Sequence, residues 1–362
     1  MYITKLSLKD FRNYSAQTLE LAPGTNLIYG QNAQGKTNIL EAVAMFSQGK
    51  SHRAKSDKEL IRFGCDFARA AVEFKTAERE YQAVMTFARN GKKSIKINNV
   101  AVKKLSMLMN YLNTVLFSPE DLSLVKGSPS VRRKFMDFAV SQLFPKYLVS
   151  LIDYNRALNQ KNSLLKTLKR SGKHSDVMLS VWNEQLSAEG ARIMQYRLDF
   201  LELLRGFAAT VQQEISGEIL ELEYVPGIKL ENLTQTDFFE ALEKGQRREI
   251  EMQTAIYGIQ RDDVHIQING NDAKLYASQG QQRTAALTLK IALSDYIRHI
   301  KDEYPVLLLD DIMSELDKSR RLYLAEKIRD KQVLITSTDT DILKSTDGTR
   351  LFYVENGAVF PQ

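Results

Sequence analysis

The sequence predicts an α/β fold, a mixed sheet with flanking helices that carries an inserted α-helical arm. Three observations lead there. The apolar run Asn26-Leu27-Ile28-Tyr29 meets a turn framed by Gly30 and Gly35, and then Asn38-Ile39-Leu40-Glu41-Ala42-Val43, which has the apolar spacing of a helix. Far downstream, the apolar run Val306-Leu307-Leu308-Leu309, a helix over 319–329 and an apolar strand over 333–336 alternate as in a parallel sheet. Between these two halves, from about residue 128 to 255, lie long stretches of helical period.

Taken in order, Tyr2-Ile3-Thr4-Lys5-Leu6-Ser7-Leu8 alternates apolar and polar residues, the mark of a half-exposed strand. A second strand covers 16–21, and Pro23-Gly24 turns the chain into the strand at 26–29. Alternating segments at 69–75, 81–87 and 94–97, joined by turns at Asn90-Gly91 and Asn98-Asn99, predict an antiparallel layer. Val115-Leu116-Phe117 is a buried strand ended by Ser118-Pro119. Ser128 then caps a helix that has Pro129 in its first turn.

Leu151, Tyr154, Leu158, Leu165 and Leu168 mark one long helix, which breaks at Ser171-Gly172-Lys173-His174. Met194, Leu198, Leu201, Leu204, Ala208, Val211 and Ile215 mark a second. The two are expected as an antiparallel pair, a stubby arm whose apolar stripe is the seam between them. A further helix covers 238–255, and Val264-His265-Ile266-Gln267-Ile268 with its Asn269-Gly270 turn is expected to return the chain to the head. A helix opens at Ala277-Ser278-Gln279-Gly280 and is stopped by Pro305. The expected division is a head of residues 1–122 and 256–362 and an arm (lid) domain of residues 123–255.

The composition is that of a soluble globular chain, with 43% hydrophobic and 26% charged residues among 362. No apolar run approaches a membrane span and no signal-peptide core is visible, so a cytoplasmic location is expected, with no membrane partner. Cys65 is the only cysteine, which excludes an internal disulfide. His52, His174, His265 and His299 show no metal-ligand spacing and read as surface or packing residues. The net charge of +6 favours a polyanionic partner. Basic residues gather at 50–55, 89–96, 132–134, 166–173 and 247–248, each of which can equally be a solvated face.

The stretch Gly30, Gln31, Asn32, Ala33, Gln34, Gly35, Lys36, Thr37 between a strand and a helix is a phosphate-binding loop. Its glycines let successive N–H groups and the helix N-terminus converge on a polyphosphate, so ATP or GTP binding follows. Lys36 meets the β and γ phosphates, and the Thr37 hydroxyl ligates Mg2+. A carboxylate at the tip of an apolar strand completes such an ion's shell, which pairs Asp310 with Thr37. Asp311, one residue on, can orient or deprotonate the attacking water. Ser278, Gly280 and Gln281 form a second anion-type cluster at a helix start. One chain already supplies a full phosphate cradle, so the economical reading is that Ser278 and Gly280 close over a γ-phosphate held by a second molecule, near Asp317.

This combination resembles the ABC-type ATPase heads related to the SMC proteins. Lys9-Asp10-Phe11-Arg12-Asn13-Tyr14, residues 30–37, Phe117-Ser118-Pro119-Glu120-Asp121-Leu122, Arg132-Arg133, residues 278–283 and residues 307–317 carry the likeness, and more narrowly they resemble a bacterial DNA replication and repair group. The resemblance implies an ABC-type P-loop head that binds ATP and forms an ATP-dependent homodimer on gapped or junction DNA. It also implies work with RecO and RecR to load RecA. About 270 residues separate the two phosphate motifs, too far for a plain helicase core and too near for a long coiled coil. Asp311 stands where many ABC ATPases carry Glu, which implies slow hydrolysis. Ser337 and Thr338 follow the strand at 333–336 where a switch His is usual. Other classes open to the same motifs are the ATPase subunit of a membrane transporter and a nucleotide-sensing scaffold with no DNA role.

Overall fold

In the computed structural model the alternation of Tyr2–Phe11 (β1) places Ile3, Leu6, Leu8 and Phe11 on one buried face. Tyr14–Glu20 (β2) returns antiparallel to it, and Thr25–Tyr29 (β3) leads to the helix Lys36–Gln48 (α1). Phe67–Lys75 (β4), Glu80–Ala88 (β5), Lys93–Ile97 (β6) and Val100–Ala101 (β7) complete an antiparallel sheet of order β2-β1-β4-β5-β6-β7. Residues 1–102, 109, 111–173, 175–339 and 348–362 are described; His174 lies outside them.

Thr114–Phe117 (β8) belongs to a second sheet. The chain then runs through helices Pro129–Ser141 (α2), Pro145–Ser171 (α3) and Val177–Ser216 (α4), the strand Leu220–Val225 (β9) and helix Gln235–Met252 (α5). Asp263–Ile268 (β10) and Asn271–Asp272 (β11) follow, and Gln279–Lys301 (α6) leads to Val306–Asp310 (β12). Lys318–Lys327 (α7), Val333–Ser337 (β13), Arg350–Glu355 (β14) and Ala358–Pro361 (β15) end the fold. The second sheet has the order β15-β14-β3-β13-β12-β8, parallel except for the edge strand β15. Its register sets Asp310 beside Thr336 and Ser337 beside Tyr29, which brings the carboxyl ends of β3, β12 and β13 together. In open parallel sheets that end is where ligands bind.

One core explains why both sheets hold together. Ile39, Leu40, Val43, Met45 and Phe46 of α1 are fully buried and pack in one cluster with Leu6 and Phe11, Val72 and Phe74, Met85, and Leu308, Leu334 and Phe352. A helix buried on every side loses its polar stripe, which is why α1 reads as nearly continuous apolar sequence.

The chain divides into two compact units, Met1–Asp121 with Glu214–Ser216 and Thr284–Gln362, and Leu122–Gln213 with Gly217–Arg283. The second boundary corrects the expected one at 255/256. The strand expected to rejoin the head, β10, instead pairs along its length with β9, from Asp263 opposite Val225 to Ile268 opposite Leu220. Alternation identifies a strand but not its partner. The arm is also more than a two-helix pair: Leu165 and Leu168 of α3 and Leu179 of α4 share their cluster with Ile250 of α5. Lys161 and Glu249, both fully buried, tie α3 to α5 at 2.6 Å. Gly172 in the left-handed region (φ 68°) ends α3, and the Asp176 carboxylate caps α4 by accepting from the Met178 N–H.

The second unit is centred on Arg197, 1% exposed. Its guanidinium donates to Asp137 Oδ1 at 2.8 Å, to Asp262 Oδ2 at 2.5 Å and to the Ile259 carbonyl at 2.9 Å. Asp262 also accepts from the Gly227 N–H at 2.7 Å and from the Tyr224 hydroxyl. Desolvation raises the Asp262 carboxyl, and the adjacent guanidinium opposes it. Arg197→Leu strands a buried carboxylate, so the unit should lose about 3–5 kcal/mol of stability. Urea melts followed by circular dichroism measure it, and a loss below about 1 kcal/mol would contradict this account.

Candidate active site

The phosphate loop owes its shape to crowding as much as to its own residues. Gly30 has φ 151°, and a Cβ there would sit 2.3 Å from the Val354 carbonyl oxygen of β14. Gly35 has φ 115°, and a Cβ there would meet Asn13 Nδ2 at 2.4 Å and the Tyr14 hydroxyl at 2.8 Å. No side chain fits at either position. The loop is fastened from three sides. Asn13 Nδ2 donates to the Gln34 carbonyl at 2.8 Å, the Tyr14 hydroxyl to the Gly35 carbonyl at 3.0 Å, and the Asn356 N–H to Gln34 Oε1 at 2.6 Å. Burial pushes the Tyr14 phenol up, which keeps it a donor. Ala33 also lies at positive φ, 64°, while Gln31, Asn32 and Ala33 are exposed at the rim.

Lys36 is buried, and its ammonium donates to the Gly30 and Gln31 carbonyls at 2.6 and 2.8 Å. Desolvation lowers its pKa, and the charges of Asp311 and Asp310 oppose the shift. The Thr37 hydroxyl donates to Asp310 Oδ1 at 2.9 Å. Thr336, which the sequence reading passed over, donates to the same oxygen at 2.8 Å and accepts from the Asp311 N–H at 3.0 Å. Asp311 lies in the left-handed region, φ 51°, a conformation Asp tolerates better than most residues. Its carbonyl accepts from the Ser314 hydroxyl at 2.7 Å. Lys36, Thr37, Asp310 and Asp311 are thus gathered at the carboxyl ends of three strands. Ser337 lies there too, its carbonyl accepting from the Gly30 N–H at 3.3 Å.

Behind the loop Arg12 makes a bidentate pair with Glu41 of α1, at 2.9 and 2.6 Å, and the Ser51 hydroxyl adds a bond at 2.5 Å. Burial would raise the Glu41 carboxyl, yet the hydrogen bonds from Arg12 and Ser51 hold it below the ordinary range. The pair fixes α1 against the turn that carries Asn13 and Tyr14. Arg12, Asn13 and Tyr14 stood in the sequence only as a turn and as part of a resemblance; a hydrogen bond to a loop carbonyl leaves no periodicity to read.

Ser278, Gly280 and Gln281 are not among this group. They belong to the second compact unit, and the loop belongs to the first. Ser278 is exposed, its N–H donates to Gln281 Oε1 at 2.8 Å, and its hydroxyl accepts from the Gln281 N–H at 3.3 Å. This is a reciprocal cap on α6. Gln281 Nε2 also reaches Glu218 at 2.6 Å. Asp317 caps α7 by accepting from the Arg320 N–H at 3.0 Å.

The oxygens of Thr37 and Asp310 suit Mg2+, a hard cation that takes one or two protein oxygens and fills its shell with phosphate and water. Among the described residues no cluster of three His, Cys, Asp or Glu could hold a metal by itself. The Thr37 proton is directed at Asp310, which leaves its lone pairs for a cation. The residues therefore fit a magnesium nucleotide and not a free metal.

Comparison with known proteins accords with this geometry. The family model for the RecF/RecN/SMC N terminal domain matches residues 2–359. The DNA replication and repair protein RecF of Clostridium novyi (strain NT) is 40% identical over 363 residues, covering 99% of each chain. That of Bacillus cereus (strain B4264) is 38% identical over 369 residues, with 99% of this chain and 98% of the relative covered. A solved structure of the recombination mediator protein RecF with ATP in the RecFOR pathway superposes with a TM-score of 0.93 at 35% identity, over 100% of this chain and 97% of that one. An Smc head bound to the C-winged helix domain of ScpA shares the fold, with a TM-score of 0.60 at 17% identity over 100% of this chain and 97% of that one. With its phosphate loop, its paired strand-end carboxylates and its likeness from end to end, the chain belongs to the RecF branch of the RecF/RecN/SMC family.

Proposed function

We propose that this protein is an ATP-gated DNA-binding ATPase of recombinational repair and replication restart, which dimerises on ATP as a clamp on gapped or junction DNA. It then acts with RecO and RecR to promote RecA loading. The observation that carries the reading is a phosphate loop braced from three sides with Lys36 and Thr37 at its end and Asp310 of β12 bonded to Thr37, in a chain that is 40% identical to a DNA replication and repair protein over 99% of its length. Dimerisation is supported by the surface beside Ser278. Leu275 and Tyr276 are 69% and 74% exposed next to a helix start that can accept an anion, a surface suited to burial against a second copy.

Lys36 and the loop N–H groups bind the phosphates, and Thr37 and Asp310 hold Mg2+, which when bound offsets phosphate charge. Ser278, with the Gly280 and Gln281 backbone, closes the partner's site. Asp311 positions water. An Asp reaches less far than a Glu, so turnover should fall well below ~1 s⁻¹, the low end of ordinary enzymes. A phosphate-release assay with and without duplex DNA checks this, and motor-like turnover contradicts it.

The reading as a whole is tested by mass in solution without nucleotide, with ADP and with ATP, repeated with a gapped duplex. A dimer only with ATP, retained on DNA and released by salt, is the expected result. DNA binding indifferent to ATP would overturn the clamp. A transporter subunit is disfavoured because the close relatives along the entire chain are repair proteins. No described helix is long and apolar enough to cross a membrane.

A further inference from the structure

The antiparallel sheet treats its cations unevenly. At one end Lys5 stands opposite Glu20 on β2 and Glu73 on β4, and its ammonium pairs with Glu20 at 3.3 Å. At the other end of the same solvent face Lys9 stands directly opposite Arg69. Their remaining cross-strand neighbours are Ala16 and Thr86, with no carboxylate among them. Neither cation makes an ion pair among the described residues, and like charges in register destabilise a sheet unless something anionic covers them.

Two phenyl rings lie at the same end. Phe67 shares the face of Arg69, is 44% exposed opposite the small Ala88, and has the Lys9 ammonium 5.7 Å from its ring centre. Phe63 is 100% exposed. Its exposure is built in, because the turn beneath it is tied down on both sides. The Arg62 N–H donates to the Asp10 carbonyl at 2.8 Å and the Cys65 N–H to the Arg62 carbonyl at 3.1 Å. The Arg89 guanidinium donates to the Cys65 and Arg62 carbonyls. Arg62 in turn faces the nearby Asp10 at 3.8 Å. Isolated rings set among cations and small side chains do not make the contiguous apolar patch that a protein partner buries. They do make a stacking platform edged by phosphate contacts, the pattern that binds single strands.

We infer that this end of the antiparallel sheet takes the unpaired nucleotides of DNA, with bases stacked on Phe63 and Phe67 and phosphates on Lys9 and Arg69. The inference rests on the DNA-binding reading above and assigns a surface to it. The site senses a gap, because paired bases present no free face to a phenyl ring.

The test uses the full chain with magnesium ATP and two labelled probes, a continuous duplex and the same duplex with a short gap that carries 2-aminopurine. Lys9→Glu with Arg69→Glu should weaken the gapped probe at least about tenfold, flatten its log–log salt slope by about two and leave the continuous duplex within about twofold. Phe63→Ala with Phe67→Ala should weaken the gapped probe about tenfold, leave the continuous duplex within about twofold, and abolish the 2-aminopurine quench. Unchanged melting temperature and ATP affinity show that each variant is folded. The inference is overturned if the wild type binds both probes and the variants match it, or if the phenyl variant weakens both probes equally. It is also overturned if the charge variant loses only polyglutamate binding, which would make the surface an acidic-protein site. If the wild type binds neither probe with or without ATP, the DNA-binding reading itself fails, a result distinct from the others.

Discussion

Lys36→Met should abolish ATP binding, with an affinity loss of more than about a hundredfold. The Lys36 ammonium donates two N–H groups to the Gly30 and Gln31 carbonyls, at 2.6 and 2.8 Å. It therefore holds the loop closed and keeps its third donor for phosphate. Met fills nearly the same volume, so packing around α1 survives, but both carbonyls lose their donor and the phosphates lose a cation. A charge-assisted hydrogen bond is worth about 1.5–3 kcal/mol, so losing the phosphate contact together with the two bonds that hold the loop in its binding shape exceeds the ~2.7 kcal/mol that a hundredfold change requires. Titration with a fluorescent ATP analogue measures the loss, and a melting curve shows that the fold persists. An affinity within about threefold of wild type would remove Lys36 from the role given to it.

Ser278→Arg should separate binding from assembly. The residue lies in the other compact unit from Lys36, Thr37 and Asp310, so a single copy should bind nucleotide as before. Its own helix loses a reciprocal cap, a cost of about 1 kcal/mol that leaves the unit folded. At the surface, however, a long cation replaces the small hydroxyl between exposed Leu275 and Tyr276 and the start of α6. Light scattering in magnesium ATP should give the 41.3 kDa monomer where wild type gives twice that mass. Ser278→Thr retains a hydroxyl and should retain the dimer. If Ser278→Arg dimerises at wild-type concentrations, Ser278 does no more than cap its helix.

Much of the head could be read from the residues because its signals are local. The apolar run into Gly30, the rigid spacing to Thr37 and the carboxylates tipping β12 each lie within a dozen residues, and the Thr37 hydroxyl meets Asp310 at 2.9 Å as their chemistry requires. What the sequence withheld is non-local. Val264 to Ile268 alternates well enough to be a strand, yet nothing in it tells β9 from the head as its neighbour. The seam of the arm showed as leucines at helical spacing, while the buried Lys161–Glu249 pair and the Arg197 network are charges that read as surface. Thr336 escaped for a similar reason: a buried Thr at a strand end looks like ordinary β-branched packing until Asp310 is seen beside it.

The brace between Asn356 and Gln34 spans 322 residues of sequence, and β14, whose Val354 carbonyl shapes Gly30, pairs directly with β3. Contacts so distant along the polypeptide cost loop-closure entropy and are slow to form. β3 and the glycine turn precede β13 and β14, the strands they lie against, by about 300 residues of chain. Until those strands have joined β3, Gly30 lacks the carbonyl that shapes its turn, and the loop should not capture a nucleotide.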